Sequence, residues 1–205
     1  MTTARDLMIV ALDVTPDVTS VREVGQGDLA LALAGAEAID LLRAEALTLD
    51  DDLLVPGPPA EPDDPLLAEA ASALVREEPY ESVEDWLWRR GRGLPSTYTD
   101  RLEADGLIGR PRGRLLGVRS ARTQPVDSPA RRRATARWAS DEPVLAALAT
   151  AVGLREEPAD GGPDRLDEAV VTILAAVGDA VAELDAVRRR RSIEDAAFSN
   201  VWRAF

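Results

Sequence analysis

The feature that most constrains the fold is a stripe of large apolar residues from Leu166 to Val187. Leu166, Val170, Ile173, Leu174, Val177, Val181, Leu184 and Val187 recur at helical spacing over more than six turns. Such a period cannot be accommodated in a strand, so it commits this part of the chain to a long helix. Ala169, Val171, Ala175, Ala176 and Ala180 extend the apolar surface beyond one face. The reading is therefore a helix buried at the centre of the molecule, touching neighbours on several sides.

Other helices are written by their caps and breakers. Asp28, after the Gly25–Gly27 turn, is read as the cap of a helix to about Ala46 with Leu29, Leu33, Ala36, Ile39 and Leu42 on one face. Asp64-Pro65 opens another, with proline at the first helical position. Pro79 ends it. Ser82 with Asp85 three residues on is close to a capping box for a helix through Val83, Trp86 and Leu87. Pro95 starts the next, and Gly106 suits its left-handed C-terminal position. Asp141 and Pro143 start a helix that Gly153 ends, and Ile193–Phe205 reads as a separate terminal helix. Leu7–Leu12 is too short a run to distinguish helix from buried strand. Asp50-Asp51-Asp52 and Pro56–Pro59 read as a solvated loop, because three carboxylates alone lack the spaced oxygen ligands of a metal site.

Charge points to a partner. Between Arg110 and Trp138 stand nine arginines and one acid, Asp127, in a chain of formal net charge −13. Leu115, Leu116 and Val118 lie among the arginines, in a core Arg114–Val118 that could form a hairpin strand. Arginines flanking an apolar tip suit an anionic bilayer surface better than a nucleic-acid groove. The alternative is a solvated loop whose arginines pair with the protein's own acids. Arg89, Arg90 and Arg92 close the preceding helix near its C-terminal end. Arg188–Arg191 do the same for the long helix, and are read chiefly as dipole partners.

Composition closes off chemistry. Neither cysteine nor histidine occurs. That excludes disulfides, thiol or imidazole metal ligands, and Ser-His or Cys-His nucleophiles. Gly25-Gln26-Gly27 lacks the third glycine and the preceding strand of a phosphate loop. With only carboxylates and hydroxyls left for proton transfer, no enzyme, no cofactor and no metal are expected. No apolar run reaches the eighteen or so residues of a membrane span, and the N-terminus lacks a signal-peptide pattern, so the expectation is a cytoplasmic protein, peripheral to the inner face of a membrane. One domain over 1–205 is expected, with an arginine-rich segment at 109–138.

Several segments carry a resemblance in the same order along the chain. They are Asp6–Leu12, Asp40–Leu47, Asp64-Pro65-Leu66-Leu67-Ala68-Glu69-Ala70, Ser82-Val83-Glu84-Asp85-Trp86, Arg101–Ile108 and Val201–Phe205. Together they resemble the Golgi phosphoprotein 3 family in its bacterial, actinobacterial-type form. The resemblance implies a single, mainly α-helical domain: a central hydrophobic helix amid amphipathic helices, with a projecting β-hairpin and no catalysis. It implies peripheral membrane binding, to phosphatidylinositol 4-phosphate in the eukaryotic members. Of four pocket positions in that pattern, a tryptophan falls near Gly25 and an arginine near Ala34, and two further arginines fall on Arg92 and Pro95; only Arg92 is retained. The expected lipid contacts are thus Arg89, Arg90, Arg92, Arg110, Arg112 and Arg114, with Leu115, Leu116 and Val118 inserting.

Three functions stay open. The first is binding of an anionic phospholipid surface. The second is an interaction scaffold docking acidic protein partners or self-associating. The third, nucleic-acid binding through a winged-helix-like unit at Pro95–Arg122, is disfavoured because Asp100, Glu103 and Asp105 would face phosphates.

Overall fold

In chain order the elements are α1 (Thr3–Asp13), α2 (Gln26–Arg43), β1 (Leu47–Asp50), β2 (Leu53–Pro56), α3 (Pro65–Ser72), β3 (Glu81–Ser82), α4 (Val83–Arg90), α5 (Leu94–Ala104), β4 (Ile108–Gly109), β5 (Gln124–Pro125), α6 (Pro129–Ala139), α7 (Pro143–Ala151) and α8 (Glu168–Arg203). This is a computed structural model that describes residues 2–13, 25–59, 62–109, 124–156 and 166–203, with side chains up to residue 194. The architecture is mainly α, with a small antiparallel strand pair, as the sequence implied.

The central helix is α2, not the long apolar stripe. Every residue from Leu31 to Leu41 is buried, and α1, α3, α4, α5, α7, α8 and β1 all pack on it. Alanine explains this: Ala32, Ala34, Ala36 and Ala38 are small enough to admit neighbours from all sides. Gly35 takes this furthest, since a methyl group there would overlap Val177 of α8. By contrast α8 buries one face, through Val170, Ile173, Val177, Ala180 and Val181, while Val171 and Val187 are each 36% exposed. Of the alanines that broadened its stripe in sequence, Ala175 is exposed, Ala169 and Ala176 are half-buried, and Ala180 alone joins the buried face. An exposed methyl group costs little.

Most caps stand where the sequence puts them. Asp64 accepts from the amides of Leu66 and Leu67 at 3.0 and 3.4 Å, with Pro65 opening α3. Ser82 accepts from Asp85 N at 3.1 Å. Gly106 takes φ 68°, and Leu107 N closes onto Leu102 O at 2.8 Å. Asp28, however, does not cap: α2 starts at Gln26, and the Asp28 carboxylate binds Arg188 of α8 at 2.7 and 2.8 Å. The Leu7 run is helical, because Asp40 of α2 supplies Ala4 N with an acceptor at 3.2 Å at the start of α1. The triple-aspartate loop is a hairpin instead. Leu47–Asp50 pairs with Leu53–Pro56 around a two-residue turn, Asp51 at φ 53°, and β3 adds a third strand. Aspartate tolerates that left-handed conformation better than most residues. Finally, Ile193–Arg203 is no separate helix. It continues α8, because neither glycine nor proline occurs between 179 and 203 to break it.

Candidate functional site

The last turn of α4 and the turn that follows hold the first three arginines, and each has a different fate. Arg89 forks onto Glu81 through Nε and Nη2 at 2.6 and 2.7 Å, donates to Ala73 O at 3.0 Å, and lies over the Trp86 ring. Arg90 is more deeply committed. Its Nε and Nη2 grip Glu37 at 2.7 and 3.1 Å, and its Nη1 reaches Glu69 at 3.3 Å. Glu37 is 0% exposed and also accepts from Tyr98 OH at 3.1 Å. Burial nevertheless pushes the Glu37 carboxyl above its usual range, outweighing the attraction of Arg90. Both arginines hold α4 to its neighbours. Arg92 differs: it is exposed and has no partner among the described residues.

Arg92 stands on a cavity of about 300 Å³. Its walls include Gln26 and Gly27 of α2, Trp88 of α4, Pro95 of α5 and Leu184 of α8. α2 begins beside this cavity, and its capping residue Gly25 makes no side-chain cap hydrogen bond. The positive end of a helix, one unpaired guanidinium and mostly apolar walls suit a small anionic group on an apolar stem.

The four pocket positions taken from the resemblance can now be placed. Arg92 and Pro95 line the cavity. Ala34 is fully buried, its carbonyl accepting from Trp86 Nε1 at 3.0 Å. Gly25 leaves room for Arg188, since a methyl group there would stand 2.7 Å from Arg188 Nη2. The Arg188 guanidinium from α8 thus lies against Gly25. Sequence reasoning named neither Arg188 nor Glu37 as part of this region. The signal for Glu37 was a lone carboxylate inside Ala34–Ile39, which must find a partner if buried.

The nine arginines of the basic stretch divide into two groups. On α6, Arg131 pairs with Asp13 at 2.6 Å and Arg132 with Asp127 at 2.8 Å. Arg133 and Arg137 both reach the buried Asp6, at 3.3 and 2.7 Å, and Arg137 also binds Glu142 at 2.8 Å. For these four the internal-pairing alternative is what the structure shows. The other five, Arg110, Arg112, Arg114, Arg119 and Arg122, lie outside the described residues, as do Leu115, Leu116 and Val118. The base of their segment is visible: Ile108 pairs with Pro125 and Gly109 with Gln124. That base is at the far end of α5 from Arg92, and eleven helical residues separate the two by roughly 16 Å.

Among the described residues no group of three or more carboxylates is placed to hold a metal ion, and no helix is long and apolar enough to cross a membrane. A search of curated proteins returned no match. The Golgi phosphoprotein 3 family model matches residues 4–190, nearly the whole of the described fold, and the chain belongs to that family.

Proposed function

We propose that this chain, a family member of the bacterial type, is a non-enzymatic peripheral membrane protein that binds anionic lipid headgroups at the inner face of a membrane. The observation that carries the reading is Arg92, unpaired at the mouth of an apolar-walled cavity that opens beside the start of α2. The arginines at 110, 112 and 114 add charge, and Leu115, Leu116 and Val118 supply apolar insertion. Arg89 and Arg90 support the surface from behind, since their own charges are matched by Glu81 and Glu37.

Each basic residue near an anionic surface contributes about 1 kcal/mol, so several are needed against the net charge of −13. One retained pocket arginine does not supply the convergent cations that a phosphorylated inositol demands. The expected binding is therefore to negative charge in general, without selection for phosphatidylinositol 4-phosphate.

The test separates steering from insertion by co-sedimentation with anionic vesicles at low and high salt. Changing Arg110, Arg112 and Arg114 to Glu should abolish binding at low salt, because attraction becomes repulsion within a Debye length. Changing Leu115 and Leu116 to Ser should spare the salt-sensitive part and remove what persists at high salt. If neither change affects vesicles while binding of an acidic protein partner falls, the scaffold reading replaces this one.

A further inference from the structure

Attraction to negative charge leaves most of the Arg92 cavity without a use. Arg92 is an exposed cation on the turn between α4 and α5, next to Gly93, which takes the left-handed conformation at φ 75°. An anionic surface needs nothing beyond that charge. Beside it, however, lies a space of about 300 Å³ with mostly apolar walls. Its floor is Leu31 of α2 and Leu87 of α4, both part of the core. Its sides are Ala30, Trp88, Pro95 and Leu184, each only half-buried. Apolar surface is thus left uncovered in a hollow, where it suits an apolar guest.

The hollow is shaped by helix packing and not by a loop. Gly27 of α2 admits the Leu184 side chain of α8, since a methyl group at Gly27 would stand 2.7 Å from Leu184 Cδ2. The end of α4 closes on α2 in the same way, since a methyl group at Gly91 would stand 3.1 Å from Ala30 O. Apart from the Trp88 ring, the lining residues with polar side chains are Gln26, Arg92 and Ser96, and all three are exposed. Polar groups therefore stand at the open side and apolar groups within. Arg92 is the single charged residue among them.

We propose that the cavity takes the alkyl chain of one anionic single-chain amphiphile, its phosphate or carboxylate head on Arg92. A volume at the low end of small-molecule sites suits one chain of moderate length and not two. A head without a chain would satisfy Arg92 alone, and a neutral chain would leave Arg92 unpaired. The bilayer as the source of the chain rests on the lipid reading above; the seat of the chain rests on the cavity alone.

The test titrates the full chain with monomeric alkyl phosphates, followed by calorimetry and by tryptophan emission. One molecule should bind per chain. Affinity should rise about fourfold per methylene from hexyl phosphate upwards, then level once the cavity is full. Glycerol phosphate, an anion without the chain, should bind at least about a hundredfold more weakly than octyl phosphate. Arg92→Gln should cost about tenfold at every chain length. Ala30→Leu narrows the cavity, so affinity should level at a shorter chain. Arg92 is exposed and its variant should keep the wild-type melting temperature, so the result stays readable even where Ala30→Leu does not fold. Glycerol phosphate binding as tightly as octyl phosphate would overturn the chain site. So would affinity that rises without levelling and ignores both variants, the mark of unspecific adsorption. No binding of alkyl phosphates, by a chain that still sediments with phosphatidylcholine vesicles carrying phosphatidylglycerol, would overturn the site and leave the lipid reading standing. Alkyl phosphate binding by a wild type that ignores those vesicles would keep the site and overturn the bilayer as its source.

Discussion

Removing the Arg90 side chain should expose how much of the fold depends on a buried charge. Arg90→Met keeps the aliphatic stem but leaves Glu37, fully buried, facing only Tyr98 OH. Two hydrogen bonds to a carboxylate disappear, and with them the nearest positive charge. Breaking a buried pair from one side costs about 3–5 kcal/mol. An upper limit comes from ionisation, since Glu37 can protonate instead of staying charged. Protonating an ordinary glutamate at pH 7 costs about 3.7 kcal/mol, from 2.7 pH units at 1.36 kcal/mol each. The loss at pH 7 should therefore lie between about 3 and 3.7 kcal/mol and should shrink with acid. In the variant the folded-state pKa of Glu37 lies further above its unfolded value. The folded form then binds more protons across that window, and stability rises as pH falls towards about 4.5. There the deficit should be about 1 kcal/mol, the worth of the lost hydrogen bonds. Urea unfolding followed by circular dichroism at pH 7 and pH 4.5 reads both numbers, and pairing the change with Glu37→Leu should restore most of the pH 7 loss. A deficit below 1 kcal/mol at pH 7, or one independent of pH, would show that Glu37 is not held as a buried carboxylate and would refute the reasoning.

Two further predictions follow from the same packing. Asp40 caps α1 yet has its carboxyl pushed up to about 6 by burial, so the native state gains stability as pH falls from about 6 towards 3.8; Asp40→Asn keeps an acceptor without the charge, and its stability difference from wild type should contract by about 2–3 kcal/mol between pH 7 and pH 4 in urea titrations. Val177→Asp places a charge against Gly35 at the α2–α8 contact and should abolish cooperative thermal unfolding, whereas Val187→Asp, at a 36% exposed position, should shift the midpoint by no more than a few degrees.

The helices were legible wherever local chemistry sets them. Asp64-Pro65, Ser82 with Asp85, and Gly106 act within a few residues of themselves, so no distant contact was needed to read them. The centre of the fold was not legible in the same way. α2 and α8 both carry long apolar patterns, and which one is enclosed depends on side-chain size: alanines let neighbours close around α2, whereas the larger stripe of α8 fills one groove. The β1–β2 hairpin was hidden because Asp50–Asp52 masks a short leucine alternation with charge. The site divides along the same line. Arg92 could be named from its order relative to the Arg101–Ile108 segment, but the fate of Arg89, Arg90 and the α6 arginines was set by acids more than thirty residues away in several cases, such as Glu37 and Asp6. Charge counted along a sequence does not distinguish a free cation from a paired one.

Membrane binding itself is tested most directly by sedimenting the wild-type chain with neutral phosphatidylcholine vesicles, with vesicles carrying phosphatidylglycerol, and with vesicles carrying phosphatidylinositol 4-phosphate at matched total charge. The expected result is no recovery with neutral vesicles and equal recovery with the two anionic kinds, falling as salt is raised, because one unpaired cavity arginine and the chain's basic segments respond to charge and not to headgroup shape. Equal amounts left in the supernatant with neutral and anionic vesicles would contradict membrane binding altogether, and strong preference for phosphatidylinositol 4-phosphate would contradict recognition by charge alone.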